Sequence, residues 1–418
     1  AAPVTPVTPV VPVEPPTLSV QVGSAAAPLA GSAVTVYQTG NGGAAAATAV
    51  AYALADSTGV ARVALHCGQA PLTPAALLYA VAVGNAAGNS AIRLEAALGS
   101  CQSLPASVTV NELSTVAAGM ALNAFHTSSG IGGNAPGLAN AFATVTTLVD
   151  AASGAAAASL PAAAQCTAGG APVNCLALQR MTSLANALAG CTQSSGTAAC
   201  AALLPCATPG AQFDSGSDTC MVAAGSTPPA DTLAAVLAVA RNPAQVSVNG
   251  LYALASQQTT YSPALTAVPS DWTLSLNFTG GGLKDPTQAA VDAAGNVWLA
   301  NYSDAVSVFS PTGAALSPAT GYSGGGLHES FGLAIDSAGN VWVTNEETPA
   351  GVNNKRGSIA PTAISAAVSI FPRRSRLMPA ATSGSATTAI PRFRSLRVHR
   401  RPRQVAPCRL MRAIPEAD

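Results

Sequence analysis

The sequence predicts a multidomain α+β chain: a β-sandwich, an Ala-rich disulfide-linked helical domain, an incomplete β-propeller of two blades, and a disordered basic tail. Three observations predict it. Short alternating apolar runs separated by turn residues fill positions 18–108. From Thr109 the apolar period becomes helical, and six cysteines fall between the helical stretches. Further on, Val291-Asp292-Ala293-Ala294-Gly295-Asn296-Val297-Trp298-Leu299-Ala300-Asn301 returns as Ile335-Asp336-Ser337-Ala338-Gly339-Asn340-Val341-Trp342-Val343-Thr344-Asn345. Each copy follows a Gly-Gly-Gly-Leu run, Gly280 to Leu283 and Gly324 to Leu327. A fixed period of this length points to propeller blades or a repeat array.

Composition narrows the class. The chain has 418 residues, enough for several domains, and only 9% of them are charged. The mean hydropathy of +0.35 comes mostly from alanine and valine. The longest apolar region, 141–164, is interrupted by Asp150, Gly154 and Pro161, so no transmembrane span is predicted. The net charge of zero hides an asymmetry: five basic and sixteen acidic residues precede Lys355, and thirteen basic and two acidic residues follow from it. Eight of the nine cysteines lie in the acidic body: Cys67, Cys101, Cys166, Cys175, Cys191, Cys200, Cys206 and Cys220. An even set suggests disulfides and an oxidising compartment, hence a secreted, cell-envelope or periplasmic location. No Cys-x-x-Cys pair and no His between Cys166 and Cys220 suggest a zinc site, and no metal or cofactor is expected. The chain begins at Ala1 and not at Met, so a targeting segment is expected to have preceded it, with possible cell-envelope attachment through that removed N-terminus.

Residues 1–17 place proline at every third position from Pro3 to Pro15, which favours an extended polyproline spacer. A docking site for a Pro-binding domain is the alternative, but no Lys or Arg flanks the run. In 18–108, strands are expected at Leu18–Val22, Ala33–Tyr37, Ala61–Leu65 and Leu78–Val83, with turns at Gly40–Gly43 and Asp56–Gly59. In 109–268, helices are expected from Leu113 to Ala124 after Asn111-Glu112, from Leu138 to Val149, from Leu176 to Leu188, and from Thr232 to Arg241 after the N-cap Asp231. The six cysteines here admit many connectivities, of which sequential pairing (166–175, 191–200, 206–220) is the simplest. Cross-links would compensate for the thin core that alanine-rich helices make. In 269–355, each repeat copy reads strand, tight turn, strand, and Ala305–Phe309 supplies a further strand of the first.

The run Pro28–Gly31, a strand, Asp56–Gly59, and then Leu78-Tyr79-Ala80-Val81 resembles the transthyretin-like or carboxypeptidase-regulatory-like sandwiches of secreted proteins. That resemblance accommodates a Cys67–Cys101 bridge. The repeats resemble the NHL-repeat and streptogramin-lyase-like β-propellers of bacterial exported proteins. In the first copy Leu283, Pro286, Ala290, Val291-Asp292, Gly295-Asn296, Trp298 and Asn301 fit the family pattern. In the second, Leu327, Gly332, Ala334, Ile335-Asp336, Gly339-Asn340, Trp342 and Asn345 do. Gln288 stands where Gly is usual and Ser330 where Pro is usual. The resemblance implies either a binding scaffold or a lyase relying on a His/Glu cluster and a metal in later blades. Here only His328-Glu329 offers such residues, where the first copy has Lys284-Asp285. A lone loop histidine is more often solvent-exposed than catalytic, so no catalytic residue is assigned.

Other motifs carry less. The glycine runs lack a following Gly-Lys-Ser/Thr and are read as inter-blade turns. Ser129-Gly130-Ile131-Gly132-Gly133 sits between helices, which excludes a dinucleotide loop. Trp298 and Trp342 are read as core packers, with sugar stacking as the alternative. Asn277-Phe278-Thr279 and Asn301-Tyr302-Ser303 fit a glycosylation sequon. His66 and His126 stand alone.

After about Gly357 the text turns to Arg, Pro and Ser, and no third copy of the repeat appears. The segment 356–418 is a basic surface-binding arm or, as preferred here, an out-of-frame reading of the gene. The repeat stops mid-blade, the charge inverts, and Cys408 is the odd cysteine. Without aromatic interleaving, nucleic-acid binding is not expected. The function expected is a non-catalytic exported or cell-surface scaffold with an unknown protein or carbohydrate ligand. The alternatives are a lyase-type propeller whose catalytic blades are missing and a basic-tailed surface-adhesion protein.

Overall fold

The computed structural model describes residues 17–24, 27–42, 46–166, 172–193 and 200–346, together with strands at 358–359 and 368–372. The spacer 1–16 and nearly all of the basic tail lie outside the described residues. The fold is mixed α+β, with several small sheets, and among the described residues none of them closes into a barrel.

The N-terminal strands are β1 (Thr17–Ser24), β2 (Ala27–Pro28), β3 (Ala33–Gln38), β4 (Gly40–Asn41), β5 (Thr48–Leu54), β6 (Val60–Ala64), β7 (Leu77–Val83), β8 (Arg93–Ser100) and β9 (Ser107–Val110). One sheet centres on β1, which runs antiparallel to β2 and β6 and parallel to β9. The other has the order β5-β3-β7-β8 and is antiparallel throughout. Alternation explains why they pack. Val20, Val22, Val34, Val36, Leu78 and Leu94 turn inward from both sheets into one core and are fully buried. The Cys67–Cys101 disulfide, with Cα atoms 5.5 Å apart, closes this unit.

β7 is buried on both faces. Leu78, Ala80 and Ala82 face the strand core, whereas Tyr79 and Val81 belong to a second core built from helices. Those helices are α1 (Glu112–Leu122), α2 (Ala135–Leu148), α3 (Cys175–Thr192), α4 (Leu203–Cys206), α5 (Thr232–Arg241) and α6 (Val248–Ser256). Two short pairings are added, β10 (His126–Thr127) with β11 (Gly130–Gly133), and β12 (Gln212–Asp214) with β13 (Thr219–Met221). Gly130–Gly133 is therefore a strand, pairing in parallel with β4. The capping side chains start the helices where the sequence places them. Asn111 accepts from the Ser114 amide at 2.8 Å, and Asp231 accepts from the Ala234 amide at 2.8 Å. α2 starts earlier than its apolar period predicts, because Asn134 caps it and Pro136 suits the first turn.

The six cysteines pair sequentially: Cys166–Cys175, Cys191–Cys200 and Cys206–Cys220. α3 is the hub of this layer, with almost every side chain buried. Its polar side chains are met by an irregular strap, residues 257–278. Asn186 exchanges hydrogen bonds with both backbone groups of Tyr261, and Arg180 donates to the Thr273 carbonyl at 2.7 Å. Trp272, itself part of the strap, is fully buried in the helical core. At the N-terminus of α1, buried Glu112 accepts from the hydroxyls of Thr192 and Tyr261. Burial and that neighbouring carboxylate push the Tyr261 phenol above its ordinary range. His126 does not stand alone: its Nε2 lies 3.0 Å from Oε1 of buried Glu95 on β8.

The strap leads into the repeats. The first forms the antiparallel sheet β14 (Pro286–Val291), β15 (Val297–Asn301), β16 (Ala305–Phe309) and β17 (Tyr322–Ser323). The second begins identically, with β18 (Ser330–Ile335) antiparallel to β19 (Val341–Asn345). Its next neighbour differs. β21 (Val368–Pro372) runs parallel to β19, with β20 (Ser358–Ile359) beyond it. In the segment after 355 these two strands are the described residues, and β21 lies along the edge of β19.

Candidate binding face on the paired repeats

Both repeats rest on the same turn. The Oδ1 atom of Asp292 accepts from the amides of Ala294 (2.9 Å) and Asn296 (2.8 Å). Its Oδ2 atom accepts from Asn296 Nδ2 and Trp298 Nε1, each at 2.9 Å. Asp336 repeats the set with Ala338, Asn340 and Trp342, at 2.8 to 3.0 Å. Gly295 and Gly339 complete the turns at φ 85° and 83°, a region L-residues avoid. Burial opposes ionisation of Asp292, but the Trp298 and Asn296 donors outweigh it and hold the carboxyl below its ordinary value. Donors from Asn340 and Trp342 bring Asp336 down to about 2. Carboxylates this fully bonded hold their turns in shape.

The tryptophans are half-buried. Trp298 packs at the edge of the repeat core and stacks on Tyr322 with ring centroids 6.4 Å apart, while its indole N–H ties the turn. Asn301 and Asn345 cap the far end of each hairpin. Asn301 Nδ2 donates to Ser307 Oγ at 2.8 Å, and Asn345 Nδ2 to the Gly326 carbonyl at 2.7 Å. The glycine runs are turns: all of Gly280–Gly282 and Gly324–Gly326 have φ between 57° and 96°. Consecutive left-handed residues of this kind explain why three glycines stand together. In the first run the Gly281 carbonyl accepts from Ser307 and Ser317, each at 2.8 Å.

The ten signature residues thus close two separate hairpins and do not converge into one cluster. What varies is mounted above them. Asp285 and Glu329 occupy equivalent loop positions and share a left-handed backbone, φ 51° and 46°. Each accepts through its carbonyl from the residue after the cap, Tyr302 for Asp285 and Glu346 for Glu329. One loop displays Lys284-Asp285 and the other His328-Glu329, so different side chains sit on one frame.

The repeats meet along a seam. Asp304 Oδ1 accepts from the Glu329 amide at 2.6 Å, and Thr287 donates to the Ser330 carbonyl at 2.9 Å. Gln288 accepts from the Leu333 amide at 3.1 Å and so ties one repeat to the next. Ala300, Val306, Leu327, Leu333, Val341 and Val343 are the apolar filling. His328 and Glu329 are half-buried here and not freely exposed, because the seam covers them. His328 Nδ1, Glu329 Oε2 and Ser330 Oγ are buried without a hydrogen-bond partner among the described residues. This grouping was not apparent from sequence. Its signal is weak: an Asp at position 304 ahead of a strand, where Asp tolerates the left-handed backbone it adopts, φ 65°.

Among the described residues no group of three His, Cys, Asp or Glu side chains could hold a metal ion, and no helix is long and apolar enough to cross a membrane. Elsewhere, a broad depression of about 320 Å³ beside β5 is lined by Ala49, Val50, His66, Gln69, Pro71 and Leu72. No family model, curated protein or solved structure matches the chain.

Proposed function

We propose that the protein is an exported or cell-surface, non-catalytic binding scaffold whose NHL-type repeats present variable loops to a protein or carbohydrate ligand. The observation that carries this reading is the division of labour within each repeat. The invariant polar residues are engaged in turns and caps, and the positions that differ, 284–285 and 328–329, sit on a common backbone. A frame of this kind is what presenting a ligand-contacting loop requires. Four disulfides among the described residues are compatible with an oxidising compartment. The finer assignments belong to the same proposal: a transthyretin-like sandwich at 18–108, a helical domain at 109–268, two propeller blades at 269–355, and an out-of-frame segment after 355. The parallel pairing of β21 supports the last, since the first repeat is antiparallel throughout.

The test is retention of the purified protein on insoluble chitin, cellulose and peptidoglycan and on an immobilised panel of extracellular proteins. Replacing both loops by alanine (Lys284, Asp285, His328 and Glu329) is expected to abolish whatever retention the native chain shows, in a variant that still folds by circular dichroism but melts lower, because His328 and Glu329 lie in the seam and Asp285 and Glu329 have left-handed backbone. Equal retention by the loop variant removes the reading. A lyase draws support only from the unpartnered His328 and Glu329 atoms at the seam.

A further inference from the structure

The sequence holds two Asn-x-Ser/Thr sequons, and the structure separates them. Asn301 is fully buried. Its Nδ2 donates to Ser307 Oγ and to the Gly282 carbonyl, and the hydroxyl of Ser303 donates to the Lys284 carbonyl at 3.2 Å. A sugar on that nitrogen would remove the cap of the first hairpin and has no space. Asn277 is the opposite case. Asn277, Phe278 and Thr279 are all exposed and lie outside any helix or strand. Among the described residues neither the side-chain carboxamide of Asn277 nor the hydroxyl of Thr279 has a hydrogen-bond partner.

The segment is nonetheless held in place. Asn277 donates its backbone N–H to Asn174 Oδ1 at 2.7 Å, and Asn174 Nδ2 returns a bond to the Asn277 carbonyl at 3.0 Å. The Phe278 ring lies against Gly313, where any Cβ would overlap it. Backbone and central ring are therefore anchored, while the two groups a transferase recognises are left free.

We propose that Asn277 is an acceptor site for N-linked glycan. Its amide nitrogen attacks the anomeric carbon of a sugar carried on a lipid pyrophosphate. The C–N bond forms as the bond from that carbon to the phosphate oxygen breaks. The lipid pyrophosphate leaves with the electron pair, and the nitrogen gives one proton to a base of the transferase. A glycan there is bulky and solubilising, beside a phenylalanine that is 41% exposed. The assignment is independent of what the repeats bind.

The experiment incubates the folded, disulfide-intact protein with a single-subunit oligosaccharyltransferase and a lipid-linked oligosaccharide, read by intact mass and peptide mapping. The expected result is one glycan mass on most molecules, mapped to Asn277, lost in N277Q and T279A and restored in T279S. A synthetic peptide spanning 273–282 runs alongside. No added mass on the protein overturns the proposal, whether or not the peptide is modified. So does added mass that persists in N277Q.

Discussion

The two repeats share a turn, a cap and a loop conformation, yet they end differently. The first completes an antiparallel sheet in which Ser307 of the third strand receives the cap Asn301 and donates to Gly281. The second has glycine, Gly351, at the position corresponding to Ser307, and β19 takes a parallel neighbour instead. The difference teaches that the hairpin is the self-sufficient part of this repeat. Turn and cap form from residues within one copy, whereas the outer strands need whatever sequence follows.

The largest effect should come from the seam. Leu333 is 4% exposed in the core shared by both copies, and Leu333→Ala should cost about 2–5 kcal/mol. Hydrogen exchange should then lose protection in 297–309 and 341–345 together; loss in the second stretch alone would show that the copies are independent. Next come the caps. Asn301→Ala removes a buried hydrogen bond to Ser307 and Asn345→Ala a part-buried one to the Gly326 carbonyl, and each should cost about 1–3 kcal/mol in denaturant melts. Similar losses would show that the cap works without the third strand; a near-neutral Asn345→Ala would tie it to Ser307. The smallest effect is acid titration of the turns. Both aspartates titrate lower folded than in an unfolded chain, whose value is about 3.9. Their contribution is thus complete above about pH 4 and is lost as pH falls, toward about 2 for Asp336. Carboxyl NMR shifts should show both depressed midpoints, and Trp342→Phe should raise that of Asp336 and leave Asp292 unmoved.

Much of the repeat was legible because its chemistry is local: Asp292 finds Asn296 and Trp298 within one turn. Helix starts at Asn111 and Asp231 were legible for the same reason. α6 was not, since Asn249-Gly250 reads as a turn, and it is Ser247 and packing against α3 that make it helical. β8 carries Glu95, which masks a buried strand until His126 is brought to it. β9 pairs in parallel with a strand far back in the chain, and no local pattern announces that. The half-burial of His328 and Glu329 depends on Asp304 of the other copy, so neither loop reveals it alone.

The two-faced strand β7 has a consequence for how such a chain can evolve. A β-unit with an independent surface can be exchanged between genes as a cassette. Here Tyr79, Val81 and Ala97 lend their side of the sheet to the helices, and Glu95 reaches across to His126. A replacement for 18–108 would have to match those four positions as well as its own interior, so the N-terminal unit and the helices are expected to be inherited as one piece.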